Sequence, residues 1–440
     1  MLTLTKAPEN WEILQQTDGS ATFTVAGTFD PADPTNAILY VGVVSEDDTA
    51  PVIDWVRADT DGDTFFASLT VPTGGLYRLE VRSAESDRVS PTEAKLRAAR
   101  HHIGVGDNYL IAGQSNASGV GKGYAEDAAD PMVHVLRDRA YWDIATHPLD
   151  SNRCRTNPWL SFAKYLRKKL GYPIGLIPTA VAGSQIRLWL PEEDGIFYRE
   201  MCETVNGRGI GLRGMIWYQG CAEAMDGFGA VYYDKLSSFI SQARRDLGHP
   251  ALPILSVQIN RHIDGKESPE VHLSWSQVRE AQRQAARTIP GFYLTTAFDS
   301  ILSDGIHNGP ATNPMLGQRV ARMALYHLYG IGPAFDAPDI EDAVLTAPDK
   351  ITLRFSHLHT LLTFGLSPAD IPFRVEDAEG VVPLASYACA NEYVYLTLAR
   401  AVNGAATVSG MYGRENPYFL MDSGSRIPML AFLGQKVRTE

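Results

Sequence analysis

The sequence predicts an α/β protein. Its central unit is a mostly parallel sheet covered by helices on both faces, and a β-rich, sandwich-like module lies on either side. Three observations predict this. Between residues 104 and 332, short apolar runs alternate with longer amphipathic segments, the signature of a parallel sheet built from strand–helix units. Residues 1–103 hold only short β-branched and aromatic runs separated by turn residues, the pattern of a small sandwich. The same pattern returns over 333–440, after the linker-like "GPAFDAPD" at 332–339.

In the first module the strand candidates are "ATFTVAGTF", "AILYVGVV", "TFFASLTV" and "LYRLEVRS", divided by "DPADPTN", "DTDGD" and "PTGG", which carry turn chemistry. In the centre they are "NYLIAG" (108–113), "IGLIPTAV" (174–181), "GMIWYQG" (214–220), "ILSVQIN" (254–260) and "GFYLTTAF" (291–298). These five are apolar almost throughout, as strands covered on both faces should be. Between them, "WLSFAKYLRKKLG" (159–171) ends in basic residues and a glycine, as a helix C-terminus does. In "YYDKLSSFISQARRDLG", Tyr232, Leu236, Phe239, Ile240, Ala243 and Leu247 recur at helical spacing. "SWSQVREAQRQAARTI" and "MLGQRVARMALYHLYG" complete the helices, and "KITLRFSH", "LLTFG", "FRVEDAEG", "YVYLTLA" and "AATVSGMYG" are the strands of the last module.

Composition narrows the function. Of 440 residues 45% are hydrophobic and 20% charged, which supports a large core and excludes a disordered chain. The formal net charge of −12 argues against nucleic-acid or anionic-membrane partners, which select basic surfaces. No run approaches the roughly 20 apolar residues of a membrane helix. "MLTLTKAPENWEIL" has no signal-peptide core, and Cys154, Cys202, Cys221 and Cys389 show no paired spacing. A cytoplasmic enzyme with reduced thiols is the expectation.

Ligands of open α/β sheets bind at the carboxyl ends of the strands. There the chain places Gly113-Gln114-Ser115-Asn116, then Gly183-Ser184 with Arg187 and Trp189, then Trp217-Tyr218-Gln219-Gly220, and finally "FDSILSDGIHNG" with Asp304 and His307 in D-x-x-H spacing. Acyl transfer asks for this set. A serine hydroxyl needs an adjacent base, a histidine supplies it, and a carboxylate fixes the imidazole tautomer. Preformed N–H donors must wait for the oxyanion. The N–H groups of Ser115 and Gly183 and the side-chain amide of Gln219 are the candidate donors. Taken singly, each residue also has a structural reading, as a turn serine, a turn glycine, a backbone-satisfying glutamine or a packed histidine.

The same residues carry a family resemblance. "IAGQSNASG", "AVAGSQIRLWLP", "GMIWYQG" and "DGIH" resemble the blocks of the SGNH (GDSL-type) hydrolases, in the sialate O-acetylesterase and acetylxylan-esterase branch. The likeness covers 104–332, and "FRVEDAEG" with "GMYGRENP" resembles the tail of sialate O-acetylesterases. It implies a three-layer α/β/α domain with a five-stranded parallel sheet and a catalytic triad of Ser115, Asp304 and His307. It also implies no metal or other cofactor, and an O-acetylated mono- or oligosaccharide as substrate. Two positions depart from the family pattern. Cys221 follows Gly220 where a glutamate is common, leaving Glu223 as the nearest acid, and Asn308 stands where proline usually follows the histidine.

The remaining candidates have two readings each. Trp189, Trp217 and Tyr218 are sugar-stacking faces or core packing. Arg187 is a carboxylate clamp for an acidic sugar or the partner of a local acid. Asn116 braces the serine loop or touches substrate, Glu223 is a candidate substrate contact, and Gln114 carries no assignment. His101-His102 and His357-x-His359 have loose metal spacing without further ligands. The rival functions are an esterase or thioesterase on non-carbohydrate acyl groups and a non-catalytic carbohydrate-binding protein.

Overall fold

The structure is a computed structural model that describes residues 2–47, 49–124, 127–150, 155–264, 268–361 and 366–439. Cys154 and all but the first residue of the expected strand "LLTFG" lie outside them.

Six parallel strands form the centre: β1 (Lys95–Gly113), β2 (Val133–Arg137), β3 (Ile174–Pro178), β4 (Gly214–Tyr218), β5 (Ile254–Gln258) and β6 (Phe292–Thr296). Their order is β2-β3-β1-β4-β5-β6, with every neighbouring pair parallel. Tyr141–Ile144 adds an antiparallel edge beside β2. The expectation of five strands is corrected by β2. Its "VHVLR" reads as half polar, yet His134 is fully buried. Its two ring nitrogens lie 2.6 Å from the Trp11 carbonyl oxygen and 2.8 Å from that of Pro131. Such pairing is what lets a polar residue occupy a strand interior.

Every residue of β3, β4 and β5 is buried, so both faces of the sheet are covered. The covering helices are α1 (Trp159–Leu170), α2 (Ile196–Arg208), α3 (Tyr232–Asp246), α4 (Pro269–Thr288) and α5 (Asn313–Tyr329). Helix α1 ends at Gly171 after Arg167, Lys168 and Lys169, as its sequence requires. Helix α3 buries Tyr232, Leu236, Phe239, Ile240 and Ala243, five of the six residues of the apolar stripe. Helices α1 and α5 touch at Gly317, where a Cβ would lie 2.0 Å from the Pro158 carbonyl oxygen.

The boundary expected between residues 103 and 104 falls inside β1. The first part of this strand pairs antiparallel with Gly74–Ala84, and its last part pairs with β3 and β4. Ile13–Gln15 pairs alongside residues 104–106. The change that composition detects is one of burial: β1 is half exposed before Ile103 and buried from there on, while the backbone runs through unbroken. A four-stranded sheet of Thr3–Lys6, Ser20–Thr28, Asp59–Asp61 and Thr64–Pro72 packs over this shared sheet through Val25, Leu69, Val71, Val41 and Leu79.

After α5 the chain builds an eight-stranded sheet with its own core, around Phe355, Phe373 and Phe432. Arg279 of α4 ties it to the centre. This guanidinium is fully buried and donates to the carbonyls of Ile259 (3.1 Å), Asn260 (2.7 Å) and Gly413 (2.6 Å). Among the described residues no helix is long and apolar enough to cross a membrane.

The strand junction gives a direct test of close packing. A Cβ on Gly106 would lie 1.9 Å from the Pro173 carbonyl oxygen. Gly106→Ala is expected to lower stability by about 2–3 kcal/mol, read as the urea midpoint. An unchanged midpoint would contradict the contact.

Candidate active site

The ends of β1, β3, β4 and β6 meet at one edge of the sheet. Strand β1 ends at Gly113, whose φ is 125°; a Cβ there would lie 2.3 Å from the Tyr218 carbonyl oxygen. Only glycine allows both the angle and the approach. The backbone then turns so that Ser115 opens a single helical turn, Ser115–Ser118. Gln114 joins β1 to β4, because its Oε1 accepts the N–H groups of Gly220 (2.9 Å) and Ala222 (3.4 Å). This is the assignment that the sequence left open.

As the first residue of its turn, Ser115 has an N–H with no intrahelical partner. The chain after β3 comes alongside, since Val181 N–H and the Ser184 hydroxyl both donate to the Gly113 carbonyl, at 2.9 and 3.3 Å. Gly183 is exposed there with φ 72° and open space where a Cβ would stand. Among the described residues no protein acceptor takes the N–H of Ser115 or of Gly183.

After β6, Asp304 organises the D-x-x-H loop. Its Oδ1 accepts the N–H groups of Ile306 (3.0 Å) and His307 (2.8 Å), and its Oδ2 accepts Nδ1–H of His307 at 2.9 Å. Burial pushes this carboxyl upward, but the three donors outweigh it and hold it below the usual carboxylate value. With Nδ1 protonated, Nε2 is the basic nitrogen of His307.

Asn116 ties the serine turn to this loop. Its Oδ1 accepts the Asn308 N–H at 2.9 Å, and its Nδ2 donates to the Ile306 carbonyl at 3.3 Å. The residues on both sides of His307 are thus gripped by the neighbour of Ser115. Asn260, at the end of β5, holds the same loop through Ile306 O (2.8 Å) and Asn308 Oδ1 (2.7 Å). Asn308 Nδ2 lies 3.4 Å from the Tyr218 hydroxyl. The asparagine that replaces the family's proline is therefore a strut. Among the described residues Ser115 and His307 share no direct hydrogen bond. They stand on adjoining segments clamped together by Asn116.

Several expectations are corrected. Gln219 is fully buried, and its amide N–H groups donate to the Ser184 carbonyl (3.2 Å) and the Glu223 carboxylate (2.5 Å). Its Oε1 accepts the Tyr232 hydroxyl at 2.8 Å. With both hydrogens committed, the side chain is not an oxyanion donor in this arrangement. Glu223 is also buried and accepts the Ile186 N–H at 2.5 Å. Both residues therefore brace the Gly183 loop from inside; Glu223 and Asn116 are buried, and the Asn116 amide is spent on the Asp304–His307 loop. Burial pushes the Glu223 carboxyl upward.

Trp189, Trp217 and Tyr218 are core residues with no exposed face for a sugar; Trp189 Nε1 donates to Ser184 Oγ at 3.0 Å. Arg187 is exposed but paired with Asp194 at 2.9 Å. Cys221 is buried, and its thiol is pushed up to about 12, which makes it a poor nucleophile. His102 and His359 are each held through Nδ1 by a carboxylate, Glu46 and Asp422.

The Asp304 arrangement has a pH signature. A carboxyl depressed on folding contributes stability above its unfolded value of about 4, and that contribution is lost as pH falls through the lower folded value. Wild-type protein is expected to be more stable than Asp304→Asn near neutrality, with the difference shrinking in acid. Urea unfolding of both proteins across that range checks it. A pH-independent difference would contradict the ionised pairing.

Residues 105–326 match the profile of a family described as carbohydrate esterase, sialic acid-specific acetylesterase. A probable carbohydrate esterase of Arabidopsis thaliana is 28% identical over 200 residues, which is 39% of this chain and 76% of that protein. The crystal structure of XAC1771, a carbohydrate acetylesterase from Xanthomonas citri, covers 99% of this chain and 98% of its own. It has a TM-score of 0.69 at 23% identity, so the fold is shared along the whole length. The profile takes in half of the chain, including the Ser115 turn, the Gly183 loop and the Asp304–His307 loop, and the chain belongs to the carbohydrate esterase, sialic acid-specific acetylesterase family.

Proposed function

We propose that the protein is a serine esterase that removes O-acetyl groups from a saccharide, of the sialate or the acetyl-xylan type, through an acetyl-enzyme. The observation that carries this reading is the Asp304–His307 pair, at 2.9 Å, on a loop clamped to the Ser115 turn by Asn116.

In this reading His307 Nε2 takes the proton of Ser115 Oγ as the oxygen attacks the acetyl carbonyl. Asp304 holds the tautomer that makes Nε2 basic and stabilises the imidazolium that forms. Negative charge develops on the carbonyl oxygen and is received by the N–H groups of Ser115 and Gly183, which have no protein acceptor among the described residues. One well-placed donor of this kind is worth about 10²–10³ in rate. Gln219 and Glu223 act behind them by holding Ser184 and Ile186, the backbone that directly follows Gly183. The tetrahedral intermediate collapses, the sugar oxygen leaves with the proton from His307, and the acetyl group remains bonded to Ser115 Oγ. Water, deprotonated by His307, then attacks the acetyl carbonyl; the bond to Ser115 Oγ breaks, His307 returns the proton to that oxygen, and acetate is released.

Ser115→Ala is expected to lower kcat by about four to six powers of ten with the fold unchanged. Hydrolysis of p-nitrophenyl acetate, with circular dichroism as the folding control, checks this. A folded variant with a tenth of wild-type activity would remove Ser115 from its role.

Acyl length tests the acetyl assignment. Each added methylene gains at most about 0.8 kcal/mol by burial, whereas overpacking a rigid site costs about 1–3 kcal/mol. kcat/KM for p-nitrophenyl esters should therefore fall steeply from acetate to butyrate. A rise toward octanoate would support a lipid or thioester hydrolase instead. Acetate release from a panel of acetylated sialic acids, xylo- and manno-oligosaccharides then ranks the saccharides.

A further inference from the structure

We infer that Arg414, contributed by the C-terminal module, is a positioning residue for the Asp304–His307 loop. The inference rests on the reading of His307 as the general base.

The sequence motif "GMYGREN" (410–416) lies outside the α/β centre, yet the fold carries it to the back of the catalytic loop. Arg414 is only 3% exposed. Its Nη1 donates to two carbonyls of one segment, His262 at 2.9 Å and Asp264 at 3.1 Å. The segment answers, with His262 N–H donating to the Arg414 carbonyl at 2.8 Å. Between those two carbonyls, Ile263 N–H donates to the carbonyl of Gly305 at 2.9 Å. Gly305 stands directly after Asp304 and two residues before His307. The contact is tight, since a Cβ on Gly305 would lie 2.2 Å from the Cβ of Asp264.

Arg414 is itself held in place by its neighbour. Gly413 has φ 87° and would bring a Cβ within 2.7 Å of His272 Nδ1. Its N–H donates to Ser276 Oγ at 2.8 Å, and its carbonyl accepts from Arg279 at 2.6 Å. Both partners are on α4, so the strap is anchored to the α/β centre at one end and grips residues 262–264 at the other. Residues 262–264 follow β5 and have no regular secondary structure of their own. Two charge-assisted bonds from a buried guanidinium are strong enough to set such a segment. The position of Gly305, and with it the aim of Asp304 and His307, follows from where that segment lies.

A loop displaced by a fraction of an ångström still binds substrate at the strand ends but misplaces the base. Arg414→Met is therefore expected to lower kcat by about 10- to 100-fold while leaving KM for p-nitrophenyl acetate nearly unchanged. Arg414→Lys, which keeps a cation with several donors, is expected to recover most of the loss. Thermal midpoints monitor folding in each variant, and if Arg414→Met does not fold, Arg414→Gln is read against Arg414→Lys by the same criterion. A folded Arg414→Met with wild-type kcat, a loss confined to KM, or no recovery in Arg414→Lys would overturn the inference. Ser115→Ala and His307→Ala are assayed alongside. If either stays active, the catalytic reading fails and this inference with it. If both are inactive while folded Arg414→Met keeps wild-type kcat, this inference alone fails.

Discussion

The site depends on one amide. Asn116 is bonded to the residues on both sides of His307, through the Asn308 N–H and the Ile306 carbonyl, while its own backbone is part of the Ser115 turn. The two halves of the proposed catalytic unit come from the strand ends at Gly113 and Thr296, far apart in sequence, and β4 and β5 stand between β1 and β6 in the sheet. Sheet geometry alone brings the ends to the same edge but leaves the loops free to drift. A short side chain with an acceptor and a donor in fixed relation removes that freedom. Asn260 and Tyr218 close the network behind it, with the Asn260 Nδ2 donating to both Ile306 O and Asn308 Oδ1.

The same principle shapes the other wall of the site. Gly183 is presented outward with nothing beside it, and it needs support that leaves its N–H free. That support comes from Gln219 and Glu223, which reach through the interior to the backbone of Ser184 and Ile186. In the proposed mechanism the exposed donors are thus held by buried side chains, and the N–H groups assigned to the oxyanion are spared. This preorganisation is what oxyanion stabilisation requires. On the other wall, the proposed role of the C-terminal module is to hold the Asp304–His307 loop through residues 413 and 414.

Much of this was legible in the sequence, and the misreadings share a physical cause. The strand ends, four of the five covering helices (all but Ile196–Arg208), and the places of Ser115, Gly183 and the Asp304–His307 pair followed from apolar runs ending in glycine, serine and D-x-x-H. Direction did not follow. Trp217 and Tyr218 sit next to Gln219 in the chain, but β4 is covered on both faces, so residues of either parity are buried. Nearness in sequence to a site says nothing about facing it. Glu223 was readable in principle, because it lies four residues after Gln219 and pairs with it over one turn. Strand β2 was missed because His134 and Arg137 disguise a buried strand whose polar atoms are paired internally. The compositional change near residue 103 registers burial, which changes along β1, whereas the strand itself continues.

The central claim is that the nucleophile is Ser115 and that it works with His307. Labelling with an acetyl-ester-mimicking phosphonate tests it most directly, with tandem mass spectrometry to locate the adduct and residual activity followed in parallel. The account predicts one adduct per chain, on Ser115, forming at the rate at which activity disappears and strongly slowed in His307→Ala. Activity lost with the adduct on any other residue, or Ser115 labelled while activity survives, would contradict it.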